Sequence, residues 1–184
     1  MTSLTSMEHK HPPHLDVKHA AQANLHQEGV ETLSNYERLM HESNGLAGKN
    51  VLNWSALTEL RPDPSGQLAP WLRLTVLTTL PQICQRCLEP VEVPVQVARE
   101  FRFVDSEALA EQQDDDCEED LLVASREFDL AALIEDEVLL ALPLVPRHEV
   151  CPVNVKMAAA DTDFDAPAEK PNPFAVLANL KKPD

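Results

Sequence analysis

The chemistry available to this 184-residue chain lies mainly in its four cysteines and seven histidines. Cys84 and Cys87 stand two residues apart in Pro81-Gln-Ile-Cys-Gln-Arg-Cys-Leu-Glu-Pro90, between two runs with strand periodicity. A two-cysteine knuckle at a strand turn is a common zinc half-site, because its spacing lets both sulfurs face one tetrahedral ion. His148 and Cys151, in Arg147-His-Glu-Val-Cys-Pro152, offer the other half, which would complete a Cys3His set for one structural zinc. Cys117 is left over. Two other readings stay open: reduced cysteines that only pack around a turn, or a CxxC performing thiol redox chemistry. The thioredoxin-type motif sits within a βαβ unit, whereas the flanks here read as strands. There is no Gly-rich phosphate loop, nucleophile elbow or HExxH. Five of the histidines precede residue 30, and none assembles with a nucleophile. No catalytic residue is assigned, and a non-enzymatic protein is expected.

The elements that would position the cysteines follow from periodicity. Leu52, Trp54, Ala56, Thr58 and Leu60 alternate with more polar residues, then Arg61-Pro-Asp-Pro-Ser-Gly66 makes a turn. Leu72, Leu74, Val76 and Leu80 share one face of a second strand. Val91, Val93, Val95, Val97, Phe101 and Phe103 give the clearest alternation, in a third. Strands joined in sequence by short connections predict an antiparallel meander. Pro94 cannot donate to a ladder and predicts a sheet edge there. A helix is predicted from about Val17 to Gln27 with Gly29 as its stop, and another over Asn35 to Glu42 with Ser34 as N-cap. The strongest helix follows Asp129, its expected N-cap, with Leu130, Leu133, Ile134, Val138 and Ala141 on one stripe and Pro143 as its end. Glu137 falls within that stripe and calls for a partner, an arginine being the expected one. The fold class is thus α+β: an antiparallel sheet with helices packed on one face, a CxxC knuckle between two strands and an extended C-terminal tail.

Residues 1–14 are expected to be a disordered tail, 15–155 a single domain and 156–184 a tail ending in a short amphipathic helix. That helix is capped by Asn172, has Pro173 at its first turn, and carries Phe174, Leu177 and Leu180 on one face. Asp105 to Asp120 holds nine acids and no base, which predicts a mobile loop. Net charge is −16, from 31 acids and 15 bases. A surface so acidic disfavours phosphate, since nucleic-acid affinity comes largely from lysine and arginine displacing counterions. Basic proteins are the better electrostatic match. No apolar run reaches the roughly 18 residues of a membrane span and the N-terminus lacks an apolar signal core, so no membrane partner and a cytoplasmic location are expected.

Three stretches carry a family resemblance: Cys84-Gln-Arg-Cys-Leu-Glu-Pro-Val91, the segment from Asp129 to Cys151, and the terminal Lys170-Pro-Asn-Pro-Phe-Ala-Val-Leu-Ala-Asn-Leu-Lys-Lys182. In this order they resemble the bacterial YceD family, the large ribosomal RNA subunit accumulation proteins, over most of the chain from about residue 15. The resemblance implies a role in the synthesis, processing or stability of large-subunit (23S) ribosomal RNA, with no catalytic activity. Its matching positions are Cys84, Cys87, the helix around Glu135, Asp136 and Glu137, the Leu142-Pro143 exit, and Asn172-Pro173-Phe174. Joined to the charge argument, it implies an assembly factor that contacts basic ribosomal proteins or the precursor large subunit and reaches rRNA directly or through them. The candidate contact surfaces are Glu135, Asp136, Glu137 and the helix bearing Phe174, Leu177 and Leu180. A direct rRNA binder and a thiol-redox protein are the alternatives.

Overall fold

A computed structural model describes residues 11–114, 117–155 and 174. In chain order its elements are β1 (His14–Leu15), α1 (Val17–Gln22), β2 (His26–Thr32), α2 (Glu37–Glu42), β3 (Val51–Pro62), β4 (Leu68–Ile83), β5 (Pro90–Val104), α3 (Glu107–Asp114), β6 (Asp120–Val123), β7 (Phe128–Asp129) and α4 (Leu130–Leu140). Five strands form one sheet in the order β2-β3-β4-β5-β6, and β1 pairs with β7 in a small second sheet. The main sheet is antiparallel except for β6, which runs parallel to β5. The chain divides into two compact units, residues 1–152 and 153–184, and all of these elements lie in the first.

Strict alternation in three strands decides how the sheet is covered. Trp54 pairs with Val76 and Val76 with Val97, so Leu52, Trp54, Ala56, Leu72, Leu74, Val76, Leu80, Val93, Val95, Val97, Phe101 and Phe103 share one face. All are buried, in one cluster with Val17 of α1, Leu39 of α2, and Leu133, Ile134 and Val138 of α4. The helices therefore cover one face, as the pattern predicts. Each fully buried leucine or valine contributes roughly 1.5–3 kcal/mol relative to an exposed one. The opposite face is wet. On it Arg73 and Arg61 both bond Glu100, at 2.7 and 3.1 Å, and Arg61 lies 4.3 Å from the Trp71 ring centre.

Several boundaries differ from the sequence expectations. The first helix ends at Gln22, not Gln27, because Asn24 takes the left-handed conformation (φ 48°) that turns the chain. Gly29 is no stop signal: it is buried within β2, opposite Trp54. Helix α2 starts at Glu37, and the Ser34 hydroxyl bonds that of Thr32 instead of capping it. Leu60 and Ala141 are exposed rather than part of the buried faces. From His11 the chain is described, with Pro12 buried and His14 in β1, whereas residues 1–10 lie outside the described residues. Asp129 does cap α4, accepting from the Ala132 N–H at 2.9 Å. Among the described residues Pro94 does sit on a free edge, since β6 pairs only with residues 101–104.

The acid-rich stretch is not a plain loop. It contains α3 and leads into β6, and its anchor is Arg102, whose side chain is only 3% exposed. Arg102 donates to Glu119 at 2.7 Å and to Gln113 at 2.9 Å. Local like-charge repulsion loses here to one buried cation that the acids themselves neutralise. Removing one partner of a buried pair leaves the other charge uncompensated. Arg102→Ala should therefore destabilise the protein by about 3 kcal/mol, read as a lower midpoint in urea unfolding, with faster proteolysis between β5 and β6.

Candidate metal centre

The β4–β5 connection is a tight knuckle. The Leu88 N–H donates to the Cys84 carbonyl and the Cys84 N–H to the Glu89 carbonyl, both at 2.9 Å. Closing so short a loop puts Leu88 at φ 63°, a left-handed conformation that is costly for a branched side chain. The loop after α4 is fastened alongside. The Gln85 N–H donates to the Pro146 carbonyl at 2.9 Å and the Arg86 guanidinium to the His148 carbonyl at 3.4 Å.

These contacts bring the four candidate ligands together. The Cys84, Cys87 and Cys151 sulfurs and one His148 ring nitrogen all lie within 4.8 Å of one another. Cys84 is buried and the other three are half-buried. All four cysteines of the chain are free thiols, and Cys117 lies elsewhere, its thiol donating to the Glu119 carbonyl at 3.3 Å. His148 Nε2 is 3.0 Å from the Pro90 carbonyl, which accepts only from an N–H. That bond fixes the tautomer and leaves Nδ1, 3.4 Å from the Cys87 sulfur, as the free lone pair. A ring N–H held by a backbone carbonyl is the usual second contact of a metal-ligating histidine.

The electrostatics point the same way. Burial opposes a Cys84 thiolate, but N–H groups of Cys87, His148 and Arg86, joined by the Cys87 thiol, outweigh it and bring its pKa down to about 5. Burial and the sulfurs of Cys87 and Cys84 push Cys151 up to about 11. Cys84 is thus ready as an anion, and Cys151 resists ionising beside it until a cation balances the charge. The residues fit the group the sequence implied: three sulfurs and one imidazole are a zinc-type donor set, and a tetrahedral site of Zn–S length needs sulfurs about 3.8 Å apart. What Cys84, Cys87, His148 and Cys151 form is a cluster able to hold a metal ion.

The family profile described as "Large ribosomal RNA subunit accumulation protein YceD" matches residues 72–181. This chain belongs to that family. The matched stretch contains all four members of the cluster. A YceD-family protein of Haemophilus influenzae, named "Large ribosomal RNA subunit accumulation protein YceD", is 42% identical over 104 residues, which is 54% of this chain and 58% of the relative. No solved structure matches the chain.

The other sequence candidates fall elsewhere. Glu135 and Asp136 both bond Arg38. Glu135 also accepts from the Arg38 and Leu39 N–H groups, at 2.7 and 3.2 Å, so a carboxylate 97 residues away supplies the N-terminal cap that Ser34 was expected to give. Glu137 faces an arginine, as its place in the apolar stripe requires: Arg99 Nε is 3.7 Å from its carboxylate. Phe174 is exposed. Asn172, Pro173, Leu177 and Leu180 lie outside the described residues. Sequence reasoning missed Arg38, Arg99, the Pro90 carbonyl and the N–H groups around Cys84. A backbone group carries no side-chain signature, and an arginine on a distant element carries no spacing.

Burial raises the Glu137 pKa most, Arg99 opposes this, and Asp120 and Asp136 add to it. A carboxyl whose folded pKa lies above its unfolded value costs stability once pH exceeds the unfolded pKa. Glu137→Gln should therefore raise the thermal midpoint near neutral pH. The gain should vanish as pH falls below the ordinary glutamate range, as checked by thermal unfolding across a pH series.

Proposed function

We propose that this chain is a non-catalytic factor supporting accumulation of the large-subunit ribosomal RNA, built around one structural zinc and acting through contacts with basic ribosomal proteins. The observation that carries this is the family match over residues 72–181. The relative's name speaks of large ribosomal RNA subunit accumulation. A net charge of −16 favours cationic polypeptides over bare phosphate chains, and RNA that is coated by its proteins is protected. Among the described residues no helix is long and apolar enough to cross a membrane.

Zinc would be held by the sulfurs of Cys84, Cys87 and Cys151 and by Nδ1 of His148. When bound it supplies a cross-link between the β4–β5 turn and the segment after α4. The low pKa of Cys84 would also suit redox chemistry. However, Cys84 is 0% exposed, which closes it to an external substrate thiol, and ligation uses the same thiolate. Elemental analysis of the purified protein should find about one zinc per chain, from the single tetrahedral donor set. Cys84→Ser with Cys87→Ser should abolish it. Chelation should lower the unfolding midpoint by roughly 8–16 °C, the effect of losing about 4 kcal/mol of ligand stabilisation.

The functional reading is tested by affinity capture with identification of bound protein and RNA. Large-subunit ribosomal proteins should be recovered, should persist after ribonuclease treatment, and should fall away as salt rises. Tight binding of bare 23S rRNA at physiological salt, with no ribosomal protein recovered, would overturn it.

A further inference from the structure

Among the described residues the main sheet is left open along half of β5. Pairing of β4 with β5 runs unbroken from Trp71–Arg102 to Ile83–Pro90, so the backbone groups of β5 alternate sides throughout. Ala124 N–H donates to the Val104 carbonyl across the β6 side, which assigns the even-numbered residues of β5 to that side. β6 covers only residues 101–104. Among the described residues, the edge N–H and C=O groups of Gln96 and Ala98 therefore have no strand to pair with. Pro94 has the same parity and presents no donor.

Next to this edge lies a groove of about 230 Å³, lined by Gln96, Val97, Ala98 and Arg99 from β5 and by Glu137, Leu140 and Ala141 from α4. Leu140 is 79% exposed, an apolar side chain at the end of an otherwise well-packed helix. Glu137 is 9% exposed, and its closest cation is Arg99 at 3.7 Å, beyond hydrogen-bond reach. Arg99 itself is committed to Asp120. The groove thus offers main-chain donors and acceptors, an apolar contact and a nearly buried carboxylate with an incomplete shell.

We propose that the β5 edge between Pro94 and β6 is a strand-addition site for an extended cationic polypeptide segment. The inference rests on the reading of this chain as a partner of basic proteins and gives that reading a location. An incoming strand continues the line of β6, pairs with Gln96 and Ala98, and places a lysine or arginine on Glu137 and an apolar residue on Leu140. Main-chain pairing gives affinity, and the alternating side chains give selectivity. Pro94 ends the usable run and protects the rest of the edge from pairing with other copies of the chain.

The probe is a short fluorescein-labelled peptide with threonine at every second position and lysine and valine taking turns at the positions between, so that one strand face carries both, followed by anisotropy against the full chain. Gln96→Pro removes one outward N–H without touching the ladder to β4, and should weaken binding about five- to tenfold, the loss of one or two hydrogen bonds. The same peptide methylated on alternate backbone nitrogens keeps its charges but cannot pair, and should weaken at least as much. Glu137→Gln should weaken binding several-fold and flatten its salt dependence. Equal affinity for the methylated peptide, or binding indifferent to Gln96→Pro, would overturn the inference. So would failure of the peptide to bind a protein that still captures ribosomal proteins, an outcome that leaves the broader reading intact. If the peptide pattern holds while no ribosomal protein is captured, the edge site stands and the broader reading falls.

Discussion

Nearly everything in this molecule hangs on the continuous ladders that β4 makes with both neighbours. Sixteen residues long, β4 pairs with β3 over its first part and with β5 over almost its whole length, without a bulge. A single unbroken register has two effects at once. It keeps the alternating apolar side chains from Leu52 to Phe103 on the face the helices cover, since a one-residue slip would turn them outward. It also carries the strand past the core, so that the turn into β5 delivers Cys84 and Cys87 at the end of a rigid element. A cluster of candidate ligands mounted on a strand end is placed far more reproducibly than one mounted on loops alone.

The acids of this chain divide into two populations. Glu135, Asp136, Glu119 and Glu137 are structural: they hold Arg38, cap α2, neutralise Arg102 and face Arg99. Glu31, Glu100, Asp120 and Asp129 are likewise engaged within the fold, and the other exposed acids among the described residues form the negative surface. The distinction matters for reasoning from charge, because a carboxylate engaged inside the fold contributes little to what a partner meets. Of the acids once singled out as contacts, Glu137 is the one that combines burial with an unfinished shell next to an open groove. Glu135 is mostly consumed by its cap.

Much of this was legible in the sequence, for identifiable reasons. Leu72 to Phe103 could be read because one-sided burial writes itself into alternation. The Cys3His grouping could be read because thiols and imidazoles have few structural uses in combination. β2 was not legible: His26 to Thr32 is short and polar, and joins the sheet because β3 offers an edge, with Gly29 fitting opposite Trp54. β6 and α3 were hidden by the charge of their surroundings, whose cancellation depends on Arg102, buried and out of local view. The cap on α2 was misassigned for the same reason. A serine in the right place is a local signal, and the winning carboxylate came from another helix.

The knuckle also constrains the order of events during synthesis. Cys87 and His148 are separated by 61 positions, and α3, β6, β7 and α4 are all made between them. At typical elongation rates that interval lasts about 3–12 s. During it the first pair of sulfurs has been made and the second pair of candidate ligands does not yet exist. The cluster can close only after α4 and the segment behind it have been made, so the sheet through β5 is synthesised before the residues that would fasten its last turn.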